Sequence, residues 1–245
     1  MTVSDFDLLK NGFANNSQLK NEFELAFAAI ASKHHPSNRA ERFPFGGACE
    51  WLLAIAAWKT GIKSVPAGHS QNGFDLVQFK AAMQGLWSVK SSASTTIPGY
   101  INLRNNASSS DSATQALYQH VTLFMGPYLP GITYVDFASN NEIASSIVYD
   151  KDAAKIKSKL IFEYAQKHPE FVIPVNLTAV ANLSQIDSNL NIVANVLTSG
   201  TYPILGSQVD ILKNYSEKIT VLRELNHKGN LSDEEFHKTL KEISL

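Results

Sequence analysis

Two short runs, Gly73-Phe74-Asp75-Leu76-Val77-Gln78-Phe79 and Gly85-Leu86-Trp87-Ser88-Val89-Lys90, constrain the fold of this chain more than any other stretch. Both carry the β-branched and aromatic residues that suit a half-buried strand, and the polar cluster Lys80 to Gln84 has the length of a hairpin connection. An antiparallel hairpin folding back near Ala81 and Ala82 sets Asp75 opposite the neighbourhood of Ser88 to Lys90. Side chains two apart in a strand share a face. Asp75, Ser88 and Lys90 are therefore expected to meet on one face, with Trp87 and Val89 turned the other way into the core.

A second constraint lies upstream. Ala48, Cys49, Trp51, Leu52, Leu53, Ile55, Ala56, Ala57 and Trp58 leave Glu50 as the only charge before the terminal Lys59 in a nearly all-apolar helix from Gly47 to Lys59, which implies that Glu50 is buried. Each of these groups also has an ordinary structural reading. An Asp and a Lys on neighbouring strands form a cross-strand ion pair, and a helix Glu is a surface carboxylate.

Asp75, the tripeptide Ser88-Val89-Lys90 and a preceding helix glutamate, Glu50, resemble the pattern of the PD-(D/E)XK nucleases, and within them the type II restriction endonucleases. The Gly-Leu-Trp-Ser-Val-Lys-Ser-Ser wording of residues 85–92 is similar as well. The family has an aspartate at the start of one strand and an acidic residue, any residue and a lysine on the next. Ser88 departs from it, standing where the family has Glu, Asp or Gln. The resemblance implies an α/β fold, a restriction-endonuclease-like small mixed β-sheet flanked by helices. It also implies hydrolysis of phosphodiester bonds in duplex DNA at a specific short sequence, with Glu50, Asp75, Ser88 and Lys90 as catalytic residues. Asp75 and Glu50 would be ligands of Mg²⁺, an ion that needs only one or two protein carboxylates. Lys90 would stabilise developing negative charge. Further candidates for DNA contact are His69, Asn72, Ser91, Ser92 and Arg104. A degenerate nuclease fold acting as a non-catalytic DNA-binding or assembly protein is the alternative, and a hydrolase of another phosphate ester is a third reading.

Composition bounds these readings. A chain of 245 residues with 44% hydrophobic content can bury a sizeable core. Its formal charge of −1 supplies no global attraction to nucleic acid, so any DNA contact must rest on local basic surface. The single Cys49 excludes an intramolecular disulfide and a cysteine-cluster zinc site. No apolar run has transmembrane length, and the acidic start Met-Thr-Val-Ser-Asp-Phe-Asp is unlike a secretory signal, so a cytoplasmic location without membrane contact is expected.

Along the chain, Ser17 to Lys33 has helical spacing of Leu19, Phe23, Phe27 and Ile30 behind an Asn16 or Ser17 cap. Lys33 to Pro44 is basic and proline-punctuated, a loop or broken helix that either contacts phosphate or merely connects. Gly46-Gly47 opens the Glu50 helix and Gly61 closes it; Val65 to Gly73 reads as a turn-rich loop. Strands are expected at 100–103, 132–137 and 171–177, the last at an edge because of Pro174, and helices at 111–125, 152–167 and 183–197. The 152–167 helix would carry the basic run Lys155, Lys157 and Lys159 beside Lys151. Two terminal helices, Ser216 to Lys228 and Ser232 to Ile243, the second with a Ser232/Glu235 capping box, make a helical hairpin. It is similar to the short C-terminal helical module written SHOCT. The expected division is a nuclease domain over 1–215 and a C-terminal helical hairpin over 216–245, the latter offering apolar surface for packing on the body or for a homodimer.

Overall fold

The computed structural model describes residues 4–34, 42–67, 74–78, 84–92, 99–104, 119–124, 131–150, 153–177, 189–198, 201–227 and 230–243. Three helices come first: α1 (Asp5–Asn15), α2 (Ser17–Lys33) and α3 (Arg42–Lys59). Helix α1 was not anticipated, yet its signal is local. Ser4 and Asp7 form a reciprocal capping box, and Phe6, Leu9 and Phe13 bury one face. Asn16 caps α2 by accepting from the Leu19 N–H at 2.9 Å. Helix α3 starts earlier than Gly46-Gly47, at Arg42, because Pro44 lies in the first turn, where its missing N–H costs no hydrogen bond. At its other end Gly61 adopts φ +90°, while the Ile62 N–H reaches the Ala57 carbonyl and the Gly61 N–H the Trp58 carbonyl. This is a Schellman closure that only a residue tolerant of positive φ makes without strain.

The strands follow as β1 (Ser64–Pro66), β2 (Leu76–Gln78), β3 (Gln84–Ser92), β4 (Tyr100–Arg104), β5 (Gln119–Phe124) and β6 (Ile132–Asp136). Then come α4 (Asn141–Ala144), β7 (Val148–Asp150), β8 (Ala153–Lys157), α5 (Ser158–Lys167), a 3₁₀ turn (Pro169–Phe171), β9 (Val172–Ile173), α6 (Asn189–Leu197), α7 (Pro203–His227) and α8 (Asp233–Ile243). The fold is mixed α/β. A six-stranded sheet runs β1-β2-β3-β5-β6-β9 and a three-stranded sheet runs β4-β8-β7. All pairs are antiparallel except β3 with β5.

The register divides the large sheet into two unlike faces. Trp87, Val89, Val121, Leu123 and Ile132 join the core formed with the helices. On that side Phe6 of α1 stacks on Tyr134 and meets Trp87 edge-on. On the other side Val135 and Phe137 join Ile101, Leu103, Ala154 and Ile156 of the small sheet, so the small sheet covers this second face. The second face also carries a group of polar side chains: Ser88 pairs in register with His120, and Lys90 with Thr122.

Several sequence expectations are corrected here. The described part of the helix expected at 111–125, residues 119–124, is strand β5, a central strand buried on both faces whose polar face, His120 and Thr122, alternates with Val121 and Leu123. The helix expected from 152 starts only at Ser158; residues 153–157 form β8, with Ala154 and Ile156 buried and Lys155 and Lys157 pointing away. That period of two, masked by the helical spacing of Ile156, Leu160 and Ile161, is what sets the strand. The loop expected from Val65 contains β1, paired to β2. Of the strand expected at 171–177 only Val172 and Ile173 pair, at the sheet edge before Pro174. The fold-back near Ala81 and Ala82, and the segment 111–118, lie outside the described residues.

The first expected terminal helix is the later part of α7, which runs unbroken through the 215/216 boundary. Leu205, Val209, Leu212 and Leu222 of α7 belong to one core, and Leu231 and Phe236 pack against it. The Ser232/Glu235 capping box is present, with the Glu235 carboxylate accepting from the Ser232 N–H at 3.0 Å. At the other end of α7, Glu22 is 2% exposed. Its carboxylate accepts from the N–H groups of Ile204 (3.0 Å) and Leu205 (2.9 Å) and from the Gln18 amide (3.0 Å). An anion at a helix N-terminus with its lone pairs occupied is a favourable buried charge. Glu22→Ala is expected to cost roughly 2–4 kcal/mol, because it leaves two α7 amides unpaired in the core. Thermal unfolding should show a drop of about 5–10 °C in Tm for a chain of this size.

Candidate functional site

The candidate site forms where β2 ends against β3. Leu76 pairs with Trp87, and a bulge follows between Leu76 and Val77. Asp75 lies just before β2, and its main chain is held from both sides: its N–H donates to the Trp87 carbonyl and its carbonyl accepts from the Ala67 N–H. Close by, the Phe74 ring lies against Gly85, where a Cβ would come within 2.2 Å of the ring, so glycine is required at that crossing.

With its backbone fixed, Asp75 presents its carboxylate to three consecutive residues of β3. Oδ2 accepts from the Ser88 hydroxyl at 3.0 Å, the Val89 N–H at 2.7 Å and the Lys90 ammonium at 3.0 Å. Oδ1 has no donor among the described residues. The Lys90 and Asp75 side chains are 24% and 29% exposed, so the ion pair is reachable from solvent, whereas Ser88 is 2% exposed. Asp75, Ser88 and Lys90 thus meet as the period of two requires, and Trp87 and Val89 turn into the helical core. Ser88 is neither a core hydroxyl nor a free one, since its proton is directed at Asp75.

Glu50, on the apolar helix α3, is electrostatically coupled to both charges of that pair. Burial first, and then the Asp75 carboxylate, push its carboxyl up to about 8, while the Lys90 ammonium pulls the other way. At neutral pH the isolated chain therefore holds Glu50 largely protonated. Cys49, beside it, is fully buried and its thiol is pushed up by desolvation, so it is a packing residue.

The other expected contacts distribute differently. His69 and Asn72 lie outside the described residues. Ser91 is half-buried on β3, but alternation and its register partner Leu123 put it on the helix-facing side, away from Lys90. Ser92 continues β3, and Arg104 ends β4 of the small sheet; their side chains are outside the described residues. Two residues missed in the sequence adjoin the site. His120 lies in register with Ser88 and meets Phe137 edge-on, and Thr122 lies in register with Lys90; both are 1% exposed. The visible signal was a histidine and a threonine alternating with Val121 and Leu123 in an apolar run.

Among the described residues no group of three or more His, Cys, Asp or Glu side chains is placed to hold a metal ion. The donor set is two carboxylates, Asp75 and Glu50. That number meets the requirement of Mg²⁺, which completes its shell with water and substrate oxygens, and the mutual repulsion that raises Glu50 is the kind a divalent cation relieves. Also among the described residues, no helix is long and apolar enough to cross a membrane. In comparison with known proteins, no family model matches the chain, and no curated protein or solved structure does.

Glu50 makes stability depend on pH. Its folded-state value lies above the ordinary 4.5, so its contribution is fully present below about pH 4.5 and is lost as pH rises through about 8. Glu50→Gln should leave stability unchanged near pH 4 and raise it by an amount on the order of a few kcal/mol at pH 8–9, measured by urea unfolding across that range.

Proposed function

We propose that this chain is a Mg²⁺-dependent endodeoxyribonuclease of the type II restriction kind, with a restriction-endonuclease-like mixed sheet and a site made of Asp75, Lys90, Glu50 and Ser88. The observation that carries the reading is the convergence of Ser88, Val89 and Lys90 on one carboxylate oxygen, with a second carboxyl, Glu50, electrostatically coupled to both charges. A structural ion pair needs neither a half-buried Glu50 coupled to it nor an aspartate whose main chain is held from both sides. Perturbed titration beside a specific charge partner is characteristic of working sites. By resemblance the substrate is duplex DNA cut at a short specific sequence, the location is cytoplasmic, and a homodimer would present two such sites.

Each residue then has a task. Asp75 and Glu50 would hold the ion, Glu50 giving up its carboxyl proton as it does so. A bound Mg²⁺ supplies Lewis-acid polarisation of the phosphodiester and a more acidic water. Lys90 provides a fixed positive charge for the developing negative charge, in a partly dry setting that strengthens it. Ser88 keeps Asp75 oriented through its hydrogen bond, an outer-layer task in place of the ligand a Glu would supply. One observation favours the alternative of a non-catalytic DNA-binding or assembly protein: with serine at 88, only two carboxylates remain.

Incubation of plasmid DNA with Mg²⁺ or with EDTA separates these readings. Cleavage with Mg²⁺ alone is expected, and Asp75→Asn should reduce it by more than about a hundredfold while circular dichroism stays unchanged. DNA retention without cleavage under any divalent ion would select the alternative. Ser88→Glu provides an independent check. A carboxylate buried against Asp75 should cost several kcal/mol without metal, and millimolar Mg²⁺ should restore much of that loss if position 88 faces the ion. Thermal unfolding with and without Mg²⁺ reads both effects.

A further inference from the structure

On the face that carries Lys90, the register runs Lys90, Thr122, Thr133 across β3, β5 and β6. Thr122 is 1% exposed and Thr133 is fully buried, and the hydroxyl oxygens of both have no hydrogen-bond partner among the described residues. The layer above them, from Val135 and Phe137 to Ile101 and Ile156, is apolar. A buried hydroxyl left unpaired is destabilising, and valine would fill the same volume in a strand at no such cost. Two adjacent threonines of this kind in the row of Lys90 therefore call for a partner.

Lys90 lies between two acceptors. On its β2 side is Asp75, which it now contacts at 3.0 Å; on its β5 side is Thr122, one strand away. Oδ2 of Asp75 already takes three donors, one more than its lone pairs serve well. While the ammonium stays there it also neutralises the carboxylate. Oδ1 is open to a cation with Lys90 in place, but withdrawal of Lys90 relieves Oδ2 of its third donor and returns the full negative charge of Asp75 to the ion.

We propose that Thr122 is a positioning residue whose Oγ1 is the second seat of the Lys90 ammonium, taken when Asp75 serves a divalent cation. In that seat the ammonium donates to Thr122 Oγ1, and the Thr122 hydroxyl donates to Thr133 Oγ1, so both unpaired oxygens gain a partner. Thr133, two strands from Lys90, completes the row without reaching the ammonium itself. The inference rests on the metal-site reading given above.

Calorimetric titration of the full chain with MgCl₂, without DNA, tests it. Thr122→Val should weaken Mg²⁺ binding roughly tenfold, the loss of one hydrogen bond to a charged group, and Thr122→Ser should restore it. Lys90→Met should bind Mg²⁺ at least as tightly as the natural chain, and adding Thr122→Val in that background should change nothing further. The Tm of Thr122→Val should equal or exceed that of the natural chain; if this variant does not fold, Thr122→Ala reads the same coupling. Unchanged affinity in Thr122→Val, or an equal loss with and without Lys90, overturns the second seat and leaves the metal site standing. Absence of Mg²⁺ binding by both the natural chain and Lys90→Met overturns the metal site itself, and this inference with it.

Discussion

The hydrogen bonds from Ser88, Val89 and Lys90 to one oxygen of Asp75 organise the middle of this molecule. Three successive strand residues reach a single atom only if the two side chains approach from one face and the intervening N–H points along the sheet. The carboxylate must then sit in the plane where the next strand would have continued. Regular pairing of β2 with β3 accordingly begins only at Leu76, and the bulge after it turns the chain. Beyond that point, among the described residues, β3 is paired through Ser92 by β5 alone, in parallel. The break in pairing and the exposure of the Asp75–Lys90 pair have the same cause.

The two faces of the sheet perform different physical work. The helical side is a continuous apolar core in which Trp87, Phe6 and Tyr134 interlock. The other side alternates apolar contacts to the small sheet with buried polar groups at Ser88, His120, Thr122 and Thr133. Polar groups in such a layer are costly unless paired, and Glu50 adds a carboxyl whose burial opposes its ionisation. The fold thus concentrates its least stable chemistry in one place and supports it with an apolar layer on the far side. That distribution is common where proteins give up stability for function.

What could be read in the sequence was what is local. The meeting of Asp75, Ser88 and Lys90 follows from a period of two and a short connection; Glu50, expected to be buried from its uncharged neighbours, is half-buried. Helix α2 showed its face at helical spacing, and α3 was marked by its nearly uncharged run and its closing glycine. The failures came where a strand is buried on both faces, as in β5, or where lysines alternate with apolar residues just before a helix, as in β8 and α5. His120 and Thr122 escaped for a different reason. Their place beside Ser88 and Lys90 depends on the register of a parallel pair whose strands are separated by β4 and the segment following it, and no periodicity encodes such a register.

The Glu22 cap has a further bearing on how the chain is made. Its partners Ile204 and Leu205 lie 182 and 183 residues away, so during synthesis α2 is complete long before the amides that stabilise its carboxylate exist. Until then only the Gln18 amide of the same helix reaches that carboxyl group, so enclosing it earlier would leave it without the partners it has in the folded chain. A side chain of the second helix thus ties the first helical layer to one of the last helices made, a contact of the long sequence separation that slows folding.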